Sequence, residues 1–195
     1  MPLAGAPGAP RTVLDALVPL LDAPFHPLGV AVAQIVTLPG QVVISFLLVA
    51  VAAGALWRQG RRTAAVAWPA AWLLATTVEV VFRHTLSRPA IYRDGVHVVG
   101  FDASWPSGHA LRCTLVACAL GAAWPRLRIP LGIWLVAAVV LLELAGFHTP
   151  TDVVGGLLLA TVAAAVAFAA ERSGQLGLGR PRRGGLRRPG AGAAR

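Results

Sequence analysis

The chain has no lysine; all 17 of its basic residues are arginine. Alongside so much alanine, glycine and proline, that reads as the coding bias of a GC-rich genome and not as a functional signal. Acidic residues number only 8, and charged residues of both signs make up 13 % of the chain, against about a quarter in a soluble globular domain. Cysteine occurs twice in 195 positions, which excludes a disulfide-rich secreted module. Cys113 and Cys118 stand five apart on one helix, too splayed for a bridge, and read as packing residues. What the chain does have is apolar: 56 % hydrophobic residues and a mean hydropathy of +0.69. That content excludes disorder and implies a polytopic membrane protein.

Four long apolar runs, 41–57, 63–82, 129–147 and 153–170, are separated by arginine or Pro/Gly clusters. A fifth, 110–124, is shorter and carries Arg112 near its start. At ~1.5 Å rise per residue each approaches the ~30 Å of a hydrocarbon core, and none shows the polar stripe of a surface helix. The expected fold is an all-α membrane bundle of about five transmembrane helices. Residues 1–40 precede it, with 12–38 interrupted by Asp15, Pro19, Asp22, Pro24, His26 and Pro27. An interfacial helix followed by a partly inserted segment fits that pattern. No basic stretch leads straight into an apolar core, so signal-peptide character is absent. The membrane domain is expected over 41–171, and 172–195 reads as a disordered Arg/Gly/Pro-rich tail.

Arginine placement sets the expected orientation. Twelve of the 17 arginines follow the runs 41–57, 110–124 and 153–170, which share one face if the spans alternate. By the positive-inside rule that face is cytoplasmic, with Trp57 and Trp124 at its boundary and Trp105 at the opposite one. The tail would be held to the anionic leaflet at about 1 kcal/mol per arginine near the surface. It lacks the interleaved aromatics of a nucleic-acid binder, so no nucleic-acid partner is expected. Oligomeric state is not legible.

Segments 83–105 and 147–152 then share the outer face, and they hold nearly all the residues capable of chemistry. The first opens with Arg83-His84-Thr85-Leu86-Ser87-Arg88-Pro89 and closes with Trp105-Pro106-Ser107-Gly108-His109; the second is Phe147-His148-Thr149-Pro150-Thr151-Asp152. Each piece has a plain reading. His148 and Asp152 lie on one helical face, but Thr149, Pro150 and Asp152 also make a capping arrangement. Ser107-Gly108 is a common helix start, although such a start offers N–H groups to an anion. Arg83 and Arg88 could anchor a helix end at the headgroups, Glu79 pairing with Arg83 at i, i+4. Tyr92-Arg93-Asp94-Gly95 reads as a turn, with Arg93 within reach of substrate, while His26, His84 and His97 have no partner spacing.

Together the pieces say more. Guanidinium forks suit a phosphate, a carboxylate-oriented imidazole can be a nucleophile, and a second imidazole can protonate a leaving oxygen. Besides Asp152 the outer face offers only Asp94 and Asp102, so no Mg²⁺-binding carboxylate cluster is expected. Neither a metal nor another cofactor is called for. The parts fit phosphoryl transfer through a covalent phosphohistidine.

In these motifs the sequence resembles the type 2 phosphatidic acid phosphatase superfamily. Pro106-Ser107-Gly108-His109 matches the family's second motif, and His148 with Asp152 matches the His-x-x-x-Asp that ends its third. The first motif, Lys followed after six residues by Arg-Pro, is altered. Arg83 replaces the lysine, Arg88-Pro89 matches an additional earlier Arg-Pro, and Ala90-Ile91 occupies the later one. Order and spacing agree along 41–170. The resemblance implies that His148 is the nucleophile, Asp152 its orienting partner and His109 the general acid. It implies that Arg83, Arg88, Ser107 and the Gly108 N–H hold the phosphate oxygens. One departure matters more: the family's Ser-Arg ahead of the third-motif histidine is here Leu141-Leu142. Arg112, three residues after His109 and one turn deeper, is expected to supply the missing cation, because an arginine in the first turns of a span is expensive unless it faces a polar cavity. Glu143 is expected to pair with it.

The resulting expectation is a multi-pass enzyme of the cell membrane with its site on the extracytoplasmic face, hydrolysing a lipid or prenyl phosphate or diphosphate without a metal. The alternatives are a lipid phosphotransferase, in which an alcohol replaces water, and a catalytically degenerate lipid-phosphate binder. No internal repeat points to a transporter.

Overall fold

A computed structural model describes residues 27–86, 92–93, 96–97, 105–145 and 147–175. The expected interfacial stretch before residue 27, Arg88, Asp94, Asp102 and the tail beyond residue 175 lie outside the described residues. Apart from a two-residue antiparallel pairing of β1 (Tyr92–Arg93) with β2 (Val96–His97), the regular elements are helical. They are α1 (Pro27–Thr37), a 3-10 turn (Leu38–Gly40), α2 (Val42–Arg58), α3 (Arg62–Thr85), α4 (Gly108–Ala123), a 3-10 turn (Pro125–Leu127), α5 (Arg128–Leu144) and α6 (Pro150–Gln175). The fold is an all-α bundle.

All five apolar runs are helices. Length and composition qualify three of them to cross a membrane: α3, α5 with its leading turn, and α6. Helices α1 and α2 qualify as a pair bent by 49°. Helix α4, at 16 residues, spans ~24 Å at 1.5 Å per residue, short of the ~30 Å core. It is the enclosed member, buried along nearly its whole length with α2, α3, α5 and α6 packed around it. At the C-terminal end, α6 runs to Gln175, so the first residues assigned to the tail are still helical.

The core explains how the helices approach so closely. Ala52, Ala64, Ala75, Ala119, Ala122, Ala160 and Ala167 are almost fully buried at the crossings, and such small residues let backbones come together where lipid supplies no hydrophobic drive. Trp68 fills the larger gap, edge-on to Phe168 with ring centroids 4.9 Å apart, and Trp72 Nε1 donates to Ser45 Oγ at 3.1 Å. Outward, the helices present Val43, Leu74, Ile129, Ile133, Leu158 and Val162, each well exposed. An apolar surface of that extent suits lipid, not water.

Both ends of α4 are tied down. At its C-terminal end three successive carbonyls are satisfied by side chains from other elements. Arg128 Nε donates to Gly121 O at 3.1 Å, Arg61 Nη1 to Ala122 O at 2.7 Å and Gln59 Nε2 to Ala123 O at 3.0 Å. Arg61 also pairs with Glu171 on α6. These bonds replace the intrahelical partners that a helix end lacks. The other end of α4 meets the C-terminal end of α3 and the start of α6, and there the motif residues gather.

Candidate active site

Two helix starts are stapled to each other. Ser107 caps α4, its Oγ accepting from the Ala110 N–H at 3.2 Å, which leaves the O–H to donate. The Ser107 N–H donates to the Asp152 carbonyl at 2.9 Å. At the start of α6, Asp152 Oδ2 accepts from the Thr149 N–H at 2.9 Å, and the Asp152 N–H donates to the Thr149 carbonyl at 3.0 Å. The capping arrangement legible in Thr149-Pro150-Thr151-Asp152 is therefore present. Close approach depends on glycine: a Cβ at Gly156 would collide with the Ser107 carbonyl, and one at Gly155 would lie 2.7 Å from Trp105 Nε1.

The histidines come from these two starts. Past the end of α5 the chain folds back so that the Phe147 and His148 N–H groups both reach the Leu142 carbonyl, at 3.1 and 3.3 Å. This buries His148 and sets its ring 6.3 Å, centroid to centroid, from that of His109. Its Nδ1 lies 3.8 Å from Asp152 Oδ2, beyond hydrogen-bond reach, and has no other partner among the described residues.

The arginines are organised by one carboxylate. Glu79, on α3 and 1 % exposed, accepts from Arg83 Nη2 on Oε1 at 2.5 Å and from Arg112 Nη1 on Oε2 at 3.1 Å. Arg112 Nε donates to the Gly40 carbonyl at 2.6 Å. These bonds leave Arg112 Nη2, Arg83 Nη1 and the buried, unpartnered Arg83 Nε as donors. Arg112, His148 and Arg83 all act electrostatically on His109. Gly108 makes room for the pair, since a Cβ there would lie 2.5 Å from Arg112 Nη2 and 2.7 Å from Glu79 Oε1.

Arg83, Ser107, Gly108, His109, Arg112, His148 and Asp152 thus sit at one end of the bundle. Among the described residues no three His, Cys, Asp or Glu side chains are grouped to hold a metal ion. His84 is exposed on the last turn of α3. The pairing expected of Arg112 is corrected: its partner is Glu79, not Glu143. Ala110, packed with Leu142 of α5 and Val153 of α6, marks the face of α4 that meets α5. Arg112 is two residues on, ~200° around the helix, and points the other way. Leu142, at the position of the missing arginine, is core.

Two contributors were not apparent from the sequence. Glu79 as partner of Arg112 joins residues 33 apart, although a lone acid in an apolar run already marks a functional position. Gly40 lies in the segment assigned outside the membrane domain. A Cβ there would lie 2.9 Å from both His109 Cδ2 and Cys113 Sγ, so its turn packs directly behind the site.

Among known families, the one described as PAP2 superfamily matches residues 83–173. That stretch contains every motif position above, and the resemblance read from the motifs is borne out. The family points to phosphatase-type activity on phosphate esters. Neither a curated protein nor a solved structure matches the chain.

Proposed function

We propose, for a chain whose residues 83–173 match the PAP2 superfamily, that it is an integral membrane phosphatase acting on a lipid or prenyl phosphate or diphosphate through a phosphohistidine. One observation carries the reading. Two imidazoles with ring centroids 6.3 Å apart share a helix-bundle end with two guanidiniums that converge on the Glu79 carboxylate. Binding alone would need neither a nucleophile nor an acid.

In this mechanism Arg83 and Arg112 hold the phosphoryl oxygens with the N–H groups that Glu79 and Gly40 leave unused, aided by the positive end of α4 and the Ser107 O–H. Arg88 would join them from the preceding loop. Asp152 closes on His148 Nδ1 from 3.8 Å to the ~2.7–2.9 Å of a charge-assisted bond. That leaves Nε2 as the nucleophile. Nε2 attacks phosphorus, the P–O bond to the lipid alcohol or phosphate breaks, and His109 gives its proton to the leaving oxygen. Water then attacks the phosphohistidine, passing its proton to His109, and inorganic phosphate leaves. Arg112 takes the place of the family's third-motif arginine, although it approaches from α4.

Trp105, stacked on Phe82 at 5.6 Å between centroids, supports a site at the membrane boundary, where a headgroup enters from water and its chain stays in lipid. We place that boundary on the extracytoplasmic face of the cell membrane, with the arginine-rich tail in the cytoplasm, by the positive-inside rule. The test is phosphate release from a panel of lipid phosphates by detergent-purified protein in EDTA. Turnover that survives EDTA and vanishes in His148→Ala supports the reading. A folded protein that binds phosphate but turns over no lipid would support the degenerate binder instead.

A further inference from the structure

At the end of the bundle away from the motif residues lies a cleft of about 680 Å³, lined by Arg61, Arg128, Ala165, Phe168, Ala169, Glu171 and Arg172. It opens because the two helices flanking it keep different company: α5 packs chiefly on α4 and α1, and α6 on α3 and α4. On α6 the residues 165, 168, 169 and 172 fall at i, i+3, i+4 and i+7, a single face. That face is apolar for its first three positions and ends in an arginine. From Arg62 to Arg83, α3 alone separates this cleft from the proposed phosphatase site by ~30 Å.

The charges at its mouth are already sorted. Arg61 is fully engaged: its Nε and Nη2 pair with Glu171, and its Nη1 donates to Ala122 O at 2.7 Å and Gln59 Oε1 at 3.2 Å. Glu171 is thereby offset. Arg128 is held through Nε on Gly121 O at 3.1 Å, which orients its guanidinium and leaves both terminal nitrogens without a partner among the described residues. Arg172 is exposed and likewise unpartnered among them.

We propose that this cleft is a binding site for an anionic phospholipid, separate from the phosphatase site. The headgroup phosphate lies between Arg128 and Arg172, and one acyl chain runs along Ala165, Phe168 and Ala169. Basic pockets between membrane helices take anionic headgroups by this combination of charge and apolar wall. Because Arg128 also closes the end of α4, an occupied site braces the helix whose other end carries His109. The inference rests on the helices crossing a bilayer and not on the phosphatase reading.

The test is native mass spectrometry of the detergent-purified full chain, titrated with phosphatidylglycerol or phosphatidylcholine. Wild type retains phosphatidylglycerol in preference to phosphatidylcholine, and the double variant Arg128→Gln/Arg172→Gln weakens that retention ~10- to 30-fold. Ala169→Trp, which keeps every arginine but fills the cleft, weakens it as well. His148→Ala and Arg83→Gln leave it unchanged. Equal retention of the two lipids would overturn the proposal. So would undiminished phosphatidylglycerol binding in either cleft variant, with the helix content of wild type by circular dichroism. Loss in the His148 or Arg83 variants would assign the lipid to the phosphatase site.

Discussion

Arg112 of α4 and Glu79 of α3 form a buried ion pair, Nη1 to Oε2 at 3.1 Å, between residues 33 apart in the sequence. The other oxygen of Glu79 takes Arg83, so one carboxylate fixes the separation of two cations.

Removing Arg112 tests whether it has taken over the role of the absent third-motif arginine. Arg112→Ala is expected to lower kcat/KM by about 10²–10³, the cost of losing one preorganised transition-state donor. Arg112→Lys should not restore it, because a point charge cannot bond Gly40 and Glu79 while presenting a free edge. Phosphate-release kinetics on both variants decide this. An Arg112→Ala enzyme as fast as wild type would show that the cation is supplied elsewhere.

Glu79→Gln leaves the buried Arg112 guanidinium, and the part-exposed one of Arg83, without their counter-charge. Breaking such a pair costs about 3–5 kcal/mol, read as a lowered midpoint of unfolding in detergent. The Arg112→Ala/Glu79→Gln double variant should lose less than the sum of the single losses, since the partners interact directly. Additive losses would mean that the pair is not coupled.

Glycine substitutions separate packing at the site from packing elsewhere. Gly108→Ala puts a methyl 2.5 Å from Arg112 Nη2 and is expected to raise KM by displacing the pair. Gly54 has nothing within 4 Å of its added Cβ, so Gly54→Ala should leave activity unchanged and add roughly 0.5–1 kcal/mol of helix stability. Steady-state kinetics with melting curves on both variants check the contrast.

In the proposed mechanism Asp152 has a second task beside capping α6, and the two can be pulled apart. Thr149→Ala weakens the α6 cap at a cost of about 1 kcal/mol with a small effect on turnover. Asp152→Asn keeps an oxygen for the Thr149 N–H but cannot hold His148 in its reactive form, and should cost ~10³ or more in kcat. Equal activity losses in the two variants would reduce Asp152 to a cap.

The apolar runs were legible because a bilayer-facing helix is apolar all round, and five such runs became five helices. The motif residues were legible because Ser107-Gly108-His109 and His148 with Asp152 are local patterns tied to helix starts. Glu79 and Gly40 as the two partners of Arg112 were not. Their meaning lies in contacts between residues 33 and 72 apart, and the rotation of α4 that brings them together is set by Ala110 packing on Leu142 and Val153. The same rotation defeats the pairing with Glu143, which proximity in sequence to the missing arginine suggested.

The central claim is that His148 carries the phosphoryl group. The most direct measurement is an alkaline quench during turnover of a lipid phosphate, followed by mass spectrometry of the peptide containing His148. The account predicts a phosphate on His148 in wild type, and neither label nor turnover in His148→Ala. Sustained turnover with no phosphate on His148, or turnover that persists in His148→Ala, would contradict it.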